Sequence, residues 1–507
     1  MRSKCSHCTR VSVGRELGIA DLKDLLDQFY VKPDNLAIRY GMKFESQLEE
    51  QLVANLGDLV QAPEEQSMEQ TLDLMNQGVP VIYQGVLKGG SGTIDFSGRP
   101  DFLLRNDYRF VFGENGLTAK QVDGWSGGYT AWDAKLSSTP KPDYQNQVGL
   151  YCDVLKQLEL LGPGPSGLIL GSKEIAEFSN QVLIAQMIEV RNPFIATLEK
   201  IIDKSPQRAE DLGELICEAS SYCESCEYPL LCDDQRRKSL HLQLIFNITK
   251  PQIESLIRAG VRSVEELARF DGETDKLSES VITKLKRQAG LQLKNYETGE
   301  HTYEILDADP IRSLPKQSSA DIYFDMEGFA FFEGGLEYLF GWIVGEEIPR
   351  FDYEWADDRS EERVAFINFV SSMRDHLSKY PDAYIYHYAH YEQTALTRLA
   401  QRHGVMQGEV AELIEGGKMI DLFKTVKSAL ALGQESYSIK KLENYYSFKR
   451  VSQVKEAVGS MDFYDRYRDA LVLDQSEAEM LKRQVLDYNQ DDCLSTLALL
   501  RWLRSLT

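Results

Sequence analysis

Residues 98–105 read GRPDFLLR and residues 129–136 read YTAWDAKL. Both are apolar runs of strand length that carry an acid. The second sets Asp133 and Lys135 two residues apart, so both point to one face of the strand. Asp101 follows the bend at Gly98–Pro100, beside the neighbouring strand. Two carboxylates and a lysine in this pattern can hold Mg2+ or Mn2+ through Asp101 and Asp133 and orient a water against a phosphodiester. The lysine would then steady charge on the phosphate.

The flanking segments extend the pattern. LAIRYGMKFESQLEEQLVANL (36–56) repeats apolar positions at helical spacing and carries Glu45, which completes the expected metal shell. YQNQVGLYCDVLKQLELL (144–161) is an expected helix ended by GPGP. Its Gln147 and Tyr151 lie one turn apart and face the same cleft. With PVIYQGVL (80–87) and RFVF (109–112) as further strands, residues 1–238 are expected to form one α/β domain with a mixed sheet. An Asp-x-Lys pair alone is common on surfaces. Its combination with G-x-P-D upstream and Q-x3-Y downstream is specific.

A second acidic constellation follows in residues 315–507. SADIYFDMEGF (319–329) is a strand with Asp325 and Glu327 on one face. GLEYLFGWIV, a helix over EERVAFINFVSSMRDHL and the strand AYIYHY come next. The chain closes on a long helix whose YNQDDC (488–493) puts Tyr488 one turn before Asp492. Clustered acids of this kind can hold a divalent metal. HYAHYE (387–392), which closes the strand AYIYHY, offers Glu392 as a further acid. His387 reads as structural. Asp421 in MIDLF is either a further acidic neighbour or the cap of the next helix.

Residues 239–300 read as a small all-α module. TKPQIESLIRAGVRSVEELARF is helix, turn, helix, and SESVITKLKRQAGLQL (278–293) repeats the idea. The turn Ala259-Gly260-Val261 would offer backbone N–H groups to phosphates, with Lys284, Lys286 and Arg287 nearby. The bland alternative is a helical linker.

Three of the eight cysteines fall as Cys223-x2-Cys226-x5-Cys232, a spacing for metal or cluster ligation rather than disulfides. Cys5 would make four, with Cys8 or Cys217 as other candidates. Cys5-x2-Cys8 with Cys223-x2-Cys226 would instead suit a four-thiolate zinc site. Cys152 and Cys493, inside helices, read as core residues.

Composition sets limits. At 507 residues with 43% hydrophobic side chains, the chain builds several cores. A net charge of −23 argues against a charge-driven DNA-coating protein, but not against a metal-dependent hydrolase built from acids. No apolar run reaches membrane-spanning length and no signal-peptide core is present, so a cytoplasmic location is expected. No G-x4-G-K-[ST] motif occurs, so an ATP-driven motor would have to be a partner.

The first constellation resembles the RecB-type branch of the PD-(D/E)xK nucleases over most of residues 30–235, where Gln147 and Tyr151 match a family mark. The cysteine set resembles the iron–sulfur clasp of AddB-type and CRISPR-associated RecB-like nucleases, implying a structural 4Fe–4S cluster on Cys5, Cys223, Cys226 and Cys232. Residues 239–300 resemble a helix–hairpin–helix module. Asp325, Glu327, Glu392, Tyr488 and Asp492 resemble a tyrosine-type DEDD exonuclease of RNase H-like fold, with Glu392 departing from the pattern. The whole order resembles RecB-like nucleases with a C-terminal YprB-type RNase H-like domain. The resemblance implies a restriction-endonuclease-like domain, a helical module and an RNase H-like domain. It implies hydrolysis of single-stranded DNA or DNA ends in repair or recombination, with 3′–5′ trimming by the second site and a helicase as partner. A DNA-end-binding adaptor with inactive sites and an RNA exonuclease are the alternatives.

Overall fold

Tyr129–Lys135 is buried from Tyr129 through Asp133, which requires cover on both faces of its sheet. The computed structural model describes the chain except for residues 1–4, 33–34, 93, 123, 125–126, 213–217, 346 and 453–456. It divides into two units, Met1–Asp234 and Gln235–Thr507. In the first, Tyr129–Lys135 lies inside a six-stranded sheet, between Phe102–Arg105 and Ser166–Leu170. It pairs antiparallel with the former and parallel with the latter, so the sheet is mixed as expected. Leu48 and Leu52 of the helix Leu36–Leu56 pack on one face against Phe102, Trp132 and Ile169. Val148, Tyr151 and Cys152 of the helix Pro142–Gln157 pack on the other, against Leu103, Ala131 and Leu168. Alternation along the strand therefore sends Asp133 and Lys135 to the side that carries Tyr151. That helix stops before GPGP, because Glu159 takes a left-handed backbone (φ 59°).

The second unit is built on a five-stranded sheet in the order Arg350–Trp355, Leu336–Val344, Ile322–Phe329, Ile385–His387, Met419–Asp421. The first three strands are antiparallel neighbours; the last two join in parallel. Ile322, Phe324 and Met326 face a core with Phe366 and Phe369 of the helix Arg359–Lys379. Tyr323 faces the opposite core, with Leu497 and Leu500 of the closing helix Gln475–Ser505. Asp325 and Glu327 continue that second face, towards the closing helix.

The helices Lys250–Arg258 and Val264–Ala268 flank a turn in which Gly260 has φ +86°, a conformation that favours glycine. Residues 278–293, expected as a second hairpin, instead form the N-cap Ser278 and most of one helix, Glu279–Thr298. Gly290 lies within it. The buried stripe Ile282, Leu285 and Ala289 outweighs the roughly 1 kcal/mol that an internal glycine costs. Of the cations expected near the turn, Lys286 pairs with Asp271 (2.5 Å) and Arg287 with Glu304 (3.4 Å). No helix among the described residues is long and apolar enough to cross a membrane.

Candidate active site

In the N-terminal unit the pairing of Phe102 with Trp132 sets Asp101 across from Asp133. The Asp101 N–H donates to Asp133 Oδ1 (3.3 Å), and the Ala134 N–H donates to Asp101 Oδ2 (2.7 Å). Lys135 Nζ lies 2.9 Å from Asp133 Oδ2. Gln147 Nε2 donates to the Tyr151 hydroxyl (2.9 Å), which in turn donates to the Arg99 carbonyl (3.3 Å). Gly98 explains the GRPD spelling: a Cβ there would sit 2.4 Å from Tyr151 Cε1. Burial, then Asp133 and Glu45, push the Asp101 carboxyl up to about 8. Burial also raises Asp133, against the pull of Lys135. Desolvation works to lower Lys135, but Asp133 and Asp101 outweigh it and raise the lysine. Glu45 is held by Gln84 Nε2 and acts on Asp101 through its charge. The six residues expected from the sequence are thus linked by hydrogen bonds, an ion pair or charge into one neighbourhood of the N-terminal unit.

In the C-terminal unit, Asp325, Glu327 and Asp492 bring oxygen atoms within 4.8 Å of one another, a spacing that one cation could bridge. Gly341 stands opposite Asp325 in register, and a Cβ on it would lie 1.7 Å from Asn489 Oδ1. The glycine admits Asn489, whose Nδ2 donates to Asp325 Oδ2 (2.7 Å). Ser460 Oγ donates to Glu327 Oε2 (2.8 Å). Burial, then Asp492 and Glu327, raise Asp325 well above the usual carboxylate range. Burial, then Asp492, push Glu327 up to about 8. Such mutual repulsion in a desolvated pocket is relieved by a cation, so the donor set fits a hard divalent metal.

Two cations line this cluster. Lys440 Nζ donates to the Tyr488 hydroxyl (2.7 Å), and Arg450 Nη2 lies 2.5 Å from Asp492 Oδ1. Desolvation lowers Lys440 and, together with the carboxylates, raises Tyr488, which stays a phenol. Sequence reasoning missed Lys440, Arg450, Ser460 and Asn489. Asn489 alone left a trace, one residue after the tyrosine in YNQDDC.

Glu392 is not one of the three converging acids. It is buried, with Oε2 3.2 Å from His387 Nδ1, and reaches Asp325 only through its charge. Asp421 takes the capping role: its Oδ1 accepts from the N–H groups of Phe423 and Ala389 (2.9 Å each).

Of the expected cysteines, Cys5 and Cys226 come together around Cys8, and Cys232 meets His7. Cys8 Sγ lies 3.5 Å from Cys226 Sγ, and Cys232 Sγ lies 3.3 Å from His7 Nδ1. Backbone N–H groups point at three sulfurs: Cys8 N–H at Cys5 (3.3 Å), Ser220 N–H at Cys223 (3.4 Å) and Tyr228 N–H at Cys226 (3.3 Å). Hydrogen bonding with Cys8 lowers Cys5 and Cys226 below the usual thiol range, against the effect of burial. Cys8, outside the expected four, touches two of them electrostatically. Cys217 lies outside the described residues. Cys152 and Cys493 are fully buried, as expected of core residues.

A family model of the RNase H superfamily matches residues 322–504, the segment that holds the three-acid cluster. The C-terminal domain is RNase H-like, consistent with a hydrolase acting on nucleic acid. RNase H-like nucleases typically use Mg2+ or Mn2+, in keeping with the acids gathered here. No curated protein and no solved structure matches the chain.

Proposed function

We propose that the chain is a metal-dependent nuclease with two hydrolytic sites, acting on single-stranded DNA or DNA ends in repair or recombination. The observation that carries this reading is the three-acid cluster of Asp325, Glu327 and Asp492 inside an RNase H-like domain. Asp325, Glu327 and Asp492 would hold Mg2+ or Mn2+, which supplies a Lewis acid for the phosphate and a more acidic bound water. Tyr488, kept as a phenol and fixed by Lys440, would orient the attacking water. We assign 3′–5′ exonuclease trimming to this site.

Asp101 and Asp133 would hold a metal at the first site, with Glu45 acting on it through its charge. Lys135 would meet the charge on the phosphate, and Gln147 with Tyr151 would set the cleft wall. This assigns residues 1–238 to a PD-(D/E)xK nuclease domain, 239–300 to a helix–hairpin–helix DNA-binding module and 315–507 to a YprB-type exonuclease domain. A helicase is the partner proposed to supply a motor.

For the clasp we infer a 4Fe–4S cluster on Cys5, Cys223, Cys226 and Cys232, supported by the amide–sulfur hydrogen bonds that such ligands commonly accept. Zinc is the second reading, favoured by the Cys8–Cys226 contact of 3.5 Å, because two thiolates on one tetrahedral zinc stand roughly 3.8 Å apart. Iron with acid-labile sulfide in anaerobically purified protein supports the first; zinc without iron supports the second.

A binding adaptor is the other reading for the C-terminal unit, favoured by the engagement of Glu392 with His387 away from the three acids. The test is digestion of end-labelled DNA and matched RNA with Mn2+ by wild type, Lys135→Ala and Asp325→Asn. Each substitution is expected to remove a separate activity by ~100-fold or more. Tight metal-independent binding without turnover would replace the nuclease reading with the adaptor, and cleavage confined to RNA would overturn the choice of polymer.

A further inference from the structure

Arg450 places a guanidinium directly against the three-acid cluster, and one of its nitrogens is unused. Nε and Nη2 reach Glu443 at 2.9 and 2.6 Å, and Nη2 also reaches Asp492 Oδ1 at 2.5 Å. Nη1 is buried and has no hydrogen-bond partner among the described residues. Glu443 is itself fixed, since the Ser495 hydroxyl donates to its Oε1 (2.9 Å). The planar guanidinium is therefore clamped through Nε and Nη2, and Nη1 is the donor left over.

A buried donor on a charged group is costly to leave unsatisfied, and such orphans call for a ligand or a water. A guanidinium edge selects an oxyanion. An anion approaching Asp325, Glu327 and Asp492 is repelled unless a cation screens them, so the oxyanion must be one that arrives with a divalent metal. A phosphodiester meets that condition.

We propose that Arg450 is a catalytic residue of the C-terminal site, whose Nη1 takes a non-bridging oxygen of the scissile phosphate. This rests on the nuclease reading of that site. In hydrolysis a water oxygen bonds to phosphorus as the bond to the leaving oxygen breaks; the water gives up a proton to a base and the leaving oxygen gains one from solvent. Arg450 takes part in neither proton transfer. It supplies fixed positive charge where the phosphoryl oxygens gather negative charge. Glu443 is a positioning residue that sets its plane.

The test uses the full chain with Lys135→Ala as parent, so that only the C-terminal site is read. Single-turnover cleavage of a labelled DNA or RNA oligonucleotide is measured with Mn2+ for the parent and for added Arg450→Lys, Arg450→Gln and Asp325→Asn. Bound Mn2+ is counted by the electron spin resonance of the free ion. Expected is a ~100-fold or greater loss of rate in both Arg450 variants with the Mn2+ count retained. Rates within about threefold of the parent would overturn the proposal. Loss of bound Mn2+ in step with activity would also overturn it, making Arg450 a strut of the acid cluster. If Asp325→Asn abolishes cleavage while the Arg450 variants keep it, only this inference fails. If Asp325→Asn changes nothing, or the parent cleaves neither polymer, the reading of the site fails and takes the inference with it.

Discussion

Asp133 in the N-terminal unit and Asp325 in the C-terminal unit are both acids on central strands, and burial raises both. Their surroundings differ. Asp133 has an ammonium two residues along its own strand, at 2.9 Å. Asp325 has no such partner on its strand; after burial, the charges that raise it most are those of Asp492 and Glu327. Counter-charge reaches that cluster from a separate segment, through Arg450 and Lys440. The first site is locally neutralised by the strand that makes it. The second is assembled from distant parts and left strained by like charge, which is the state a metal ion relieves.

The contrast predicts opposite stability effects for the same chemical change. Asp133→Asn leaves Lys135, whose side chain is only 18% exposed, without its closest partner. Breaking a pair this buried should cost about 3 kcal/mol and lower the apparent unfolding temperature of the metal-free protein. Asp325→Asn removes one of three repelling carboxylates, and the new amide can still accept from Asn489 Nδ2. Metal-free Asp325→Asn protein should therefore unfold at the same or a higher temperature than wild type. Thermal unfolding in chelator, monitored by circular dichroism, reads both. If both variants fall equally, the distinction between the sites is wrong.

Two glycines sharpen the comparison at smaller amplitude. Gly98→Ala pushes against the ring of Tyr151, which lies on the helix side of the first site rather than beneath its acids. Gly341→Ala meets Asn489 at 1.7 Å, beneath the acid that Asn489 holds. Overpacking of this kind costs about 1–3 kcal/mol. Gly341→Ala should also weaken Mn2+ binding, whereas Gly98→Ala should leave metal binding near wild type and reduce cleavage at the first site. Metal titration paired with site-specific cleavage in Lys135→Ala and Asp325→Asn backgrounds checks this. Equal loss of metal binding in both glycine variants would contradict it.

These residues also mark what was legible in the chain. Strand acids are visible because alternation assigns their face: Asp133 with Lys135, and Asp325 with Glu327. Gln147 and Tyr151 are visible because a helical turn separates them. The RNase H-like domain could be read from the order of its strands and its closing helix, and residues 322–504 match that superfamily. Arg450 and Lys440 left no such mark, since Lys440 sits in the single-turn helix Ile439–Leu442 and Arg450 in the irregular stretch after it, where no strand or long helix assigns a face. Gly341 carries no mark in the sequence; its role follows from Asn489 packing against it. Gly290 misled in the other direction, because a turn signal in a sequence does not show how much apolar surface the helix around it buries. Glu392 sits where the pattern expects an acid, but His387 claims its carboxylate.

The smallest expected effect separates the two sites by pH. In metal-free protein, Asp101 and Glu327 hold their protons up to about 8, against ordinary values of 3.8 and 4.5. Between those limits the folded chain binds more protons than the unfolded chain. Stability from these groups is therefore fully present below about pH 4 and falls as the pH rises towards about 8. A metal at either site must displace those protons, so stabilisation by Mn2+ should grow over the same interval. The increment in apparent unfolding temperature should rise by a few degrees between about pH 5 and pH 8. Asp101→Asn should remove the part of that rise owed to the first site, and Glu327→Gln the part owed to the second. The second part should be the larger, because three acids converge there without a lysine on the same strand. An increment flat with pH in wild type would mean that neither cluster carries the raised carboxyls, and a larger loss in Asp101→Asn would reverse the ranking of the two sites.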